Sequence, residues 1–142
     1  MSRQHTKSLA LSILLLFVAN CAHAEPLKGN IGQAGGPNWQ SAWMDITPPR
    51  DFRKGEVLQV KVQGRAEWVR VRLLPDGEMP TSPAGLLDSK MRVPAGGVIT
   101  IKLQRDYPAV KQISVHSGQE AWGEAMNSQN SDAKIVSVDV SK

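Results

Sequence analysis

The chain has 142 residues, a formal net charge of +4, 41% hydrophobic residues and a single cysteine. That length suits one domain with one core, and one cysteine leaves no partner for an internal disulfide. No run of five like charges occurs, which argues against a nucleic-acid surface.

Residues 1–24 have the three parts of a secretory signal. Arg3 and Lys7 give a positive start, Leu9 to Val18 is an apolar run interrupted only by Ser12, and Ala22-His23-Ala24 is a small-x-small cleavage site. The run is well short of the ~20 apolar residues that span a bilayer. Cleavage is therefore expected after Ala24, leaving no membrane span. Acylation of Cys21, the lipoprotein alternative, is disfavoured because Asn20 stands where the lipoprotein peptidase takes a small residue. Cleavage removes Cys21, His5 and His23 together with Arg3 and Lys7. The remaining chain carries a net charge of +2, no thiol and one histidine, His116. The expected location is the bacterial periplasm or the cell exterior.

Residues 25–37 carry Gly29, Gly32, Gly35, Gly36 and Pro37 and read as an irregular N-terminal arm. Residues 38–142 read as one domain dominated by period-two alternation. Ala42, Met44 and Ile46 alternate with Trp39, Ser41, Trp43 and Asp45, with one irregularity. Leu58, Val60 and Val62 alternate with Gln59, Lys61 and Gln63. Val69, Val71 and Leu73 alternate with Trp68, Arg70 and Arg72. Residues 78–92 are less regular, broken by Pro80 and Pro83, with Leu86-Leu87 burying either a short extra strand or the loop itself. Ile99, Ile101 and Leu103, then Ile113 and Val115, then Val136, Val138 and Val140 complete six strand candidates. Turn chemistry separates them: Pro48-Pro49, Lys54-Gly55, Gln63-Gly64, Pro75-Asp76-Gly77, Ala95-Gly96-Gly97 and Ser117-Gly118. One apolar face per strand and no amphipathic helix predict an all-β, antiparallel β-sandwich of seven to nine strands.

Catalytic signatures are missing. One histidine cannot build a multi-histidine metal or catalytic site. Ser117 beside His116 points to the opposite face of a strand, so the two make no base–nucleophile pair. No nucleophile elbow, phosphate loop or dinucleotide fingerprint is present. The expectation is a non-enzyme with no cofactor and no metal site. In the polar stretch Asn127-Ser128-Gln129-Asn130-Ser131-Asp132, calcium ligation competes with a plain solvated loop, and only one carboxylate is on offer.

All four tryptophans survive cleavage. If Ala42, Met44 and Ile46 face the core, Trp39, Trp43 and Asp45 face outward. The same phase puts Trp68, Arg70 and Arg72 outside. Indole faces stack on the C–H faces of sugar rings, while Arg, Asp and Gln bond hydroxyls. A candidate ligand face thus comprises Trp39, Trp43, Asp45, Trp68, Arg70, Arg72 and His116, with Gln119 and Trp122 in a loop after the 113–116 strand. The structural alternative is that one register slip buries Trp39, the Gly-rich arm covers Trp43, Trp122 plugs the sandwich end, or Trp68 lies under an arginine of a neighbouring strand.

The strands Gly55-Glu56-Val57-Leu58-Gln59-Val60, Trp68-Val69-Arg70-Val71-Arg72-Leu73, Ile113-Ser114-Val115-His116 and Val136-Ser137-Val138-Asp139-Val140, after an early Trp-bearing strand, resemble galactose-binding-like jelly-roll modules. The resemblance implies an exported jelly-roll sandwich that binds carbohydrate by end loops or an outer face. A structural calcium common in that class has no clear counterpart here. Small periplasmic sandwiches that inhibit lytic enzymes are similar in layout, so an envelope protein partner stands as the alternative to a glycan. Trp and Arg would also serve that role, and an open sheet edge offers a route to a homodimer.

Overall fold

The computed structural model describes residues 23–36, 39–75, 87–118 and 132–142, with backbone only at 35–36, 39–40 and 118. Among the described residues nine strands are present: β1 Glu25–Pro26, β2 Asn30–Gly36, β3 Trp39–Phe52, β4 Val57–Gln63, β5 Trp68–Pro75, β6 Asp88–Arg92, β7 Val98–Lys102, β8 Tyr107–Gly118 and β9 Lys134–Ser141. They form a four-stranded sheet in the order β1-β9-β4-β7 and a five-stranded sheet in the order β2-β3-β8-β5-β6, with every pairing antiparallel.

The pairs nest. β1 pairs with β9, β3 with β8, β4 with β7 and β5 with β6, as in one long hairpin. Rolling that hairpin brings β4 beside β9 and β5 beside β8. This is the jelly-roll order, with two Greek keys in eight strands, and β2 is a ninth strand added at the edge next to β3. The architecture implied by the alternation and by the jelly-roll resemblance is the one observed.

The core forms where the apolar phases meet. Ala42, Met44 and Ile46 of β3, Val69, Val71 and Leu73 of β5, and Ile113 and Val115 of β8 are buried on the five-stranded side. Leu58, Val60 and Val62 of β4, Ile99 and Ile101 of β7, and Val138 and Val140 of β9 are buried on the other. β-branched side chains fill a pleated, half-buried surface well, and two such surfaces bury each other's dry faces.

Four details depart from expectation. Residues 25–26 and 30–36 of the arm are not irregular, because β1 and β2 hydrogen-bond along β9 and β3. β3 does not stop at Pro48-Pro49. It runs on to Phe52 through a cis Thr47–Pro48 bond, and the prolines fall where its register with β8 lapses between Asp45 and Arg50. Proline has no N–H for a ladder, so a lapse in pairing is where it fits. Residues 88–92 form a strand, β6, despite a polar composition. Val136 is 40% exposed, because a register shift against β4 between Lys61 and Val62 puts Ile135 into the core instead. At the β6–β7 turn, Gly96 and Gly97 take φ of 90° and 75°, a backbone that side chains resist.

Candidate functional site

The outer face of the five-stranded sheet gathers most of the sequence-predicted residues. Because inward residues on β3, β8 and β5 are fixed by burial, their neighbours must point out. The register then lines them up in rows across the strands. One row runs Gly32, Trp43, Ser114, Arg72 and Asp88. The next runs Ala34, Ser41, His116, Arg70 and Lys90. A third holds Asn30, Asp45, Gln112 and Leu74, and Trp68 pairs with Arg92 beyond the second row.

Trp43 lies flat over β2. A methyl group at Gly32 would come within 2.6–2.8 Å of Cε2, Cζ2 and Nε1 of the indole. Glycine is therefore what lets the ring settle on the edge strand's backbone. Trp43 stays half-buried and Trp68 is 38% exposed. The Lys90 ammonium sits 5.4 Å from the centre of the Trp68 ring, a cation–π contact made by a lysine of β6.

The guanidiniums are held by one carboxylate. Asp88 lies 3.2 Å from Nε of Arg72 and 3.3 Å from Nε of Arg70. Arg72 also donates from Nη2 to the other Asp88 oxygen at 3.5 Å. The Arg70 contact is close but misaligned: its Nε is buried and makes no hydrogen bond among the described residues. On the far side of β8, Gln112 donates to Asp45 at 2.8 Å.

His116 stands half-buried between Ser41 and Arg70. Burial lowers its pKa first, the Arg72 and Arg70 charges lower it further, and Asp88 offsets part of this. The imidazole is thus held neutral at lower pH than a free histidine, with one nitrogen donating and the other accepting. Ser117, its neighbour, is buried on the opposite side of β8, so no histidine–serine pair forms.

Of the predicted residues, Trp43, Asp45, Trp68, Arg70, Arg72 and His116 share this face. Trp39 belongs to β3, opposite Gly36 and Gly118. Gln119 and Trp122 lie outside the described residues, as does the signal segment up to residue 22. Sequence reasoning did not select Gly32, Ser41, Asp88, Lys90, Gln112 and Ser114. Ser41, Gln112 and Ser114 were legible as polar alternates of their strands, whereas Asp88 and Lys90 sit in a segment with no apolar alternation.

Two clefts lie elsewhere. One of about 470 Å³ at an end of the sandwich is lined by Gln63, Gly64, Glu67, Arg92, Pro94 and Asp132 among others. Asp132, the only described residue of the polar 127–132 stretch, accepts from the backbone and guanidinium of Arg65 at 3.0 Å. Slight burial raises its pKa, but those Arg65 contacts outweigh it and leave the carboxyl below its ordinary value. The other cleft, about 430 Å³, is lined by Glu25, Arg50, Glu56 and Val140 among others. Of the described ligand candidates Trp43, Asp45, Trp68, Arg70, Arg72 and His116, none lines either cleft. Among the described residues no three of His, Cys, Asp and Glu gather as a metal site, and no helix is long and apolar enough to cross a membrane.

Fold and face together define a jelly-roll β-sandwich with an aromatic, arginine-bearing outer sheet. No protein-family model matches the chain, and no curated protein matches it. Among solved structures, a low-affinity xylan-binding module of the gut symbiont Roseburia intestinalis is similar, with a TM-score of 0.49 and 9% identity over 87% of this chain and 86% of that one. At that score the likeness is one of outline, and the strand order carries the fold assignment.

Proposed function

We propose that the protein is an exported, non-catalytic binding module that takes a saccharide on the outer face of its five-stranded sheet. The observation that carries this is the Trp43 indole laid on the backbone at Gly32, with Ser41, Asp45, Gln112, His116, Arg70 and Arg72 around it on the same face. A ring fixed flat offers a sugar an apolar platform without further ordering, which lowers the entropic cost of binding. The surrounding groups are the donors and acceptors that hydroxyls need. Trp39 of β3, with Gln119 and Trp122 beyond the described end of β8, extends the proposal.

The test is calorimetric titration with an oligosaccharide panel, comparing the protein with Trp43→Ala. Binding should weaken at least about tenfold, a loss of ~1.4 kcal/mol, while the variant keeps its far-ultraviolet circular dichroism. Loss of the folded spectrum would make Trp43 a structural residue, and unchanged binding by a folded variant would remove it from the site.

One observation favours a second reading. β2 is an edge strand, Asn30–Gly36, with no charged residue and Ile31 47% exposed. Uncharged edges accept a further strand, so an envelope protein or a second copy of the chain is the partner this edge would fit. Sedimentation of the protein alone, with Ile31→Lys as the control, separates a homodimer from the rest.

A further inference from the structure

We propose that the saccharide taken on this face is an acidic one, whose uronate carboxylate is received by the guanidinium forks of Arg70 and Arg72. The inference rests on the platform reading above and names its ligand class. Three observations carry it.

The first is a mismatch of donors and acceptors. Asp88 faces both guanidiniums, at 3.2 and 3.3 Å. Two guanidiniums present about ten N–H donors, and one carboxylate offers about four lone-pair positions. Asp88 thus orients the forks without saturating them, and Arg70 Nε is left buried with no hydrogen bond among the described residues. Asp88 takes the Nε side of both guanidiniums, and the terminal Nη donors left over form the end-on pair that can match a second carboxylate in bidentate fashion.

The second is the sign of the charge on that side of the face. Among the described residues, the rows from β8 outward to β6 carry Arg70, Arg72 and Arg92 against Asp88. Asp45 lies across β8, where Gln112 occupies one of its oxygens. The two arginine side chains are only 28% and 24% exposed, so solvent screens their charge less than at an open surface. The pKa of His116 is lowered chiefly by burial, with Arg72 and Arg70 adding to the shift and Asp88 opposing it.

The third is Ser114. It lies between Trp43 and Arg72 in one row, is 2% exposed, and its hydroxyl has no partner among the described residues. Groups so placed normally find a bond. A ligand oxygen, or a water carried with it, entering between ring and fork would supply one. Trp43 and Arg72 are two strand spacings apart, roughly 10 Å, so a ring stacked on the indole and a carboxylate at the fork belong to a chain of sugars rather than to one monosaccharide.

The experiment is calorimetry on the purified protein with oligogalacturonate, oligomannuronate and oligoglucuronate, each beside its carboxyl-reduced neutral form, at about 50 and about 200 mM salt. At least one uronate should bind about tenfold or more tighter than its reduced form, and the preference should shrink at the higher salt. Arg70→Gln combined with Arg72→Gln should erase the preference between the acidic and reduced forms. Arg72→Lys keeps the charge, loses the fork and should erase it partly. Thermal melting shows that each variant is folded. Equal binding of acidic and reduced forms overturns the acidic assignment and leaves the platform reading in place. A preference that survives in the folded double variant overturns the role of the forks. Binding of no form, with tryptophan fluorescence unmoved, overturns the platform reading together with this one.

Discussion

The two sheets have outer faces built on the same pleat, yet they differ in kind. On the four-stranded sheet the outward rows are Lys102, Val57 and Ser141, then Thr100, Gln59 and Asp139, then Val98, Lys61 and Ser137. No aromatic ring is among them. On the five-stranded sheet an indole is seated on a glycine, and two guanidiniums share one carboxylate. The difference is preorganisation. Lysine and glutamine on an open strand keep their rotamer freedom and lose it on binding, whereas Trp43, Arg70 and Arg72 are already placed.

That contrast can be broken in stages. The largest effect should come from a residue that belongs to neither face. Leu73→Ala, on the same strand as Arg72 but fully buried, should destabilise by about 2–5 kcal/mol in urea unfolding. A milder loss would mean that β5 turns its other side to the core. Gly32→Val puts a side chain where the Trp43 ring lies and should destabilise by about 1–3 kcal/mol while shifting tryptophan fluorescence to the red. An unshifted spectrum would mean that the indole is not seated there.

The pH effect is smaller. The folded pKa of His116 lies below its ordinary value of 6.5, so as pH falls below that value the unfolded chain takes the proton first. Stability from this group is complete above about pH 6.5 and declines as pH drops toward the lowered folded value. His116→Gln should flatten that part of a stability-versus-pH curve measured by urea melts, and an unchanged slope would place the histidine in solvent. The smallest effect is expected on the other sheet: Gln59→Ala and Thr100→Ala should alter stability by no more than about 0.5 kcal/mol and leave saccharide binding unchanged. Loss of binding there would move the site.

Strand phase was legible because alternation is local. Val69, Val71 and Leu73 put Trp68, Arg70 and Arg72 outside without any knowledge of neighbours, and the structure agrees. Pairing was not legible, because it is set by contacts distant in sequence. Nothing local to Asp88 announces that it lies beside Arg70 and Arg72, since an edge strand of Asp, Ser, Lys, Met and Arg has no dry-and-wet pattern to reveal it. The arm was misread for a related reason. Glycines that mark loops in isolation also mark places where a ring lies on a strand, and only the position of Trp43 tells the two apart. At Val136 an apolar run concealed a bulge, since Ile135 and Val136 are equally good core residues and the register with β4 decides between them.

The nested pairing also orders events in time. β9 is last in chain order yet lies between β1 and β4. Residues 25–26 have no partner until 139–140 exist, and 57–63 lack one neighbour until 134–141 arrive. Such distant closures are slow, and a nascent chain lacking its final segment has a gap through the middle of one layer. The four-stranded layer is therefore completed only once residues 134–141 join it.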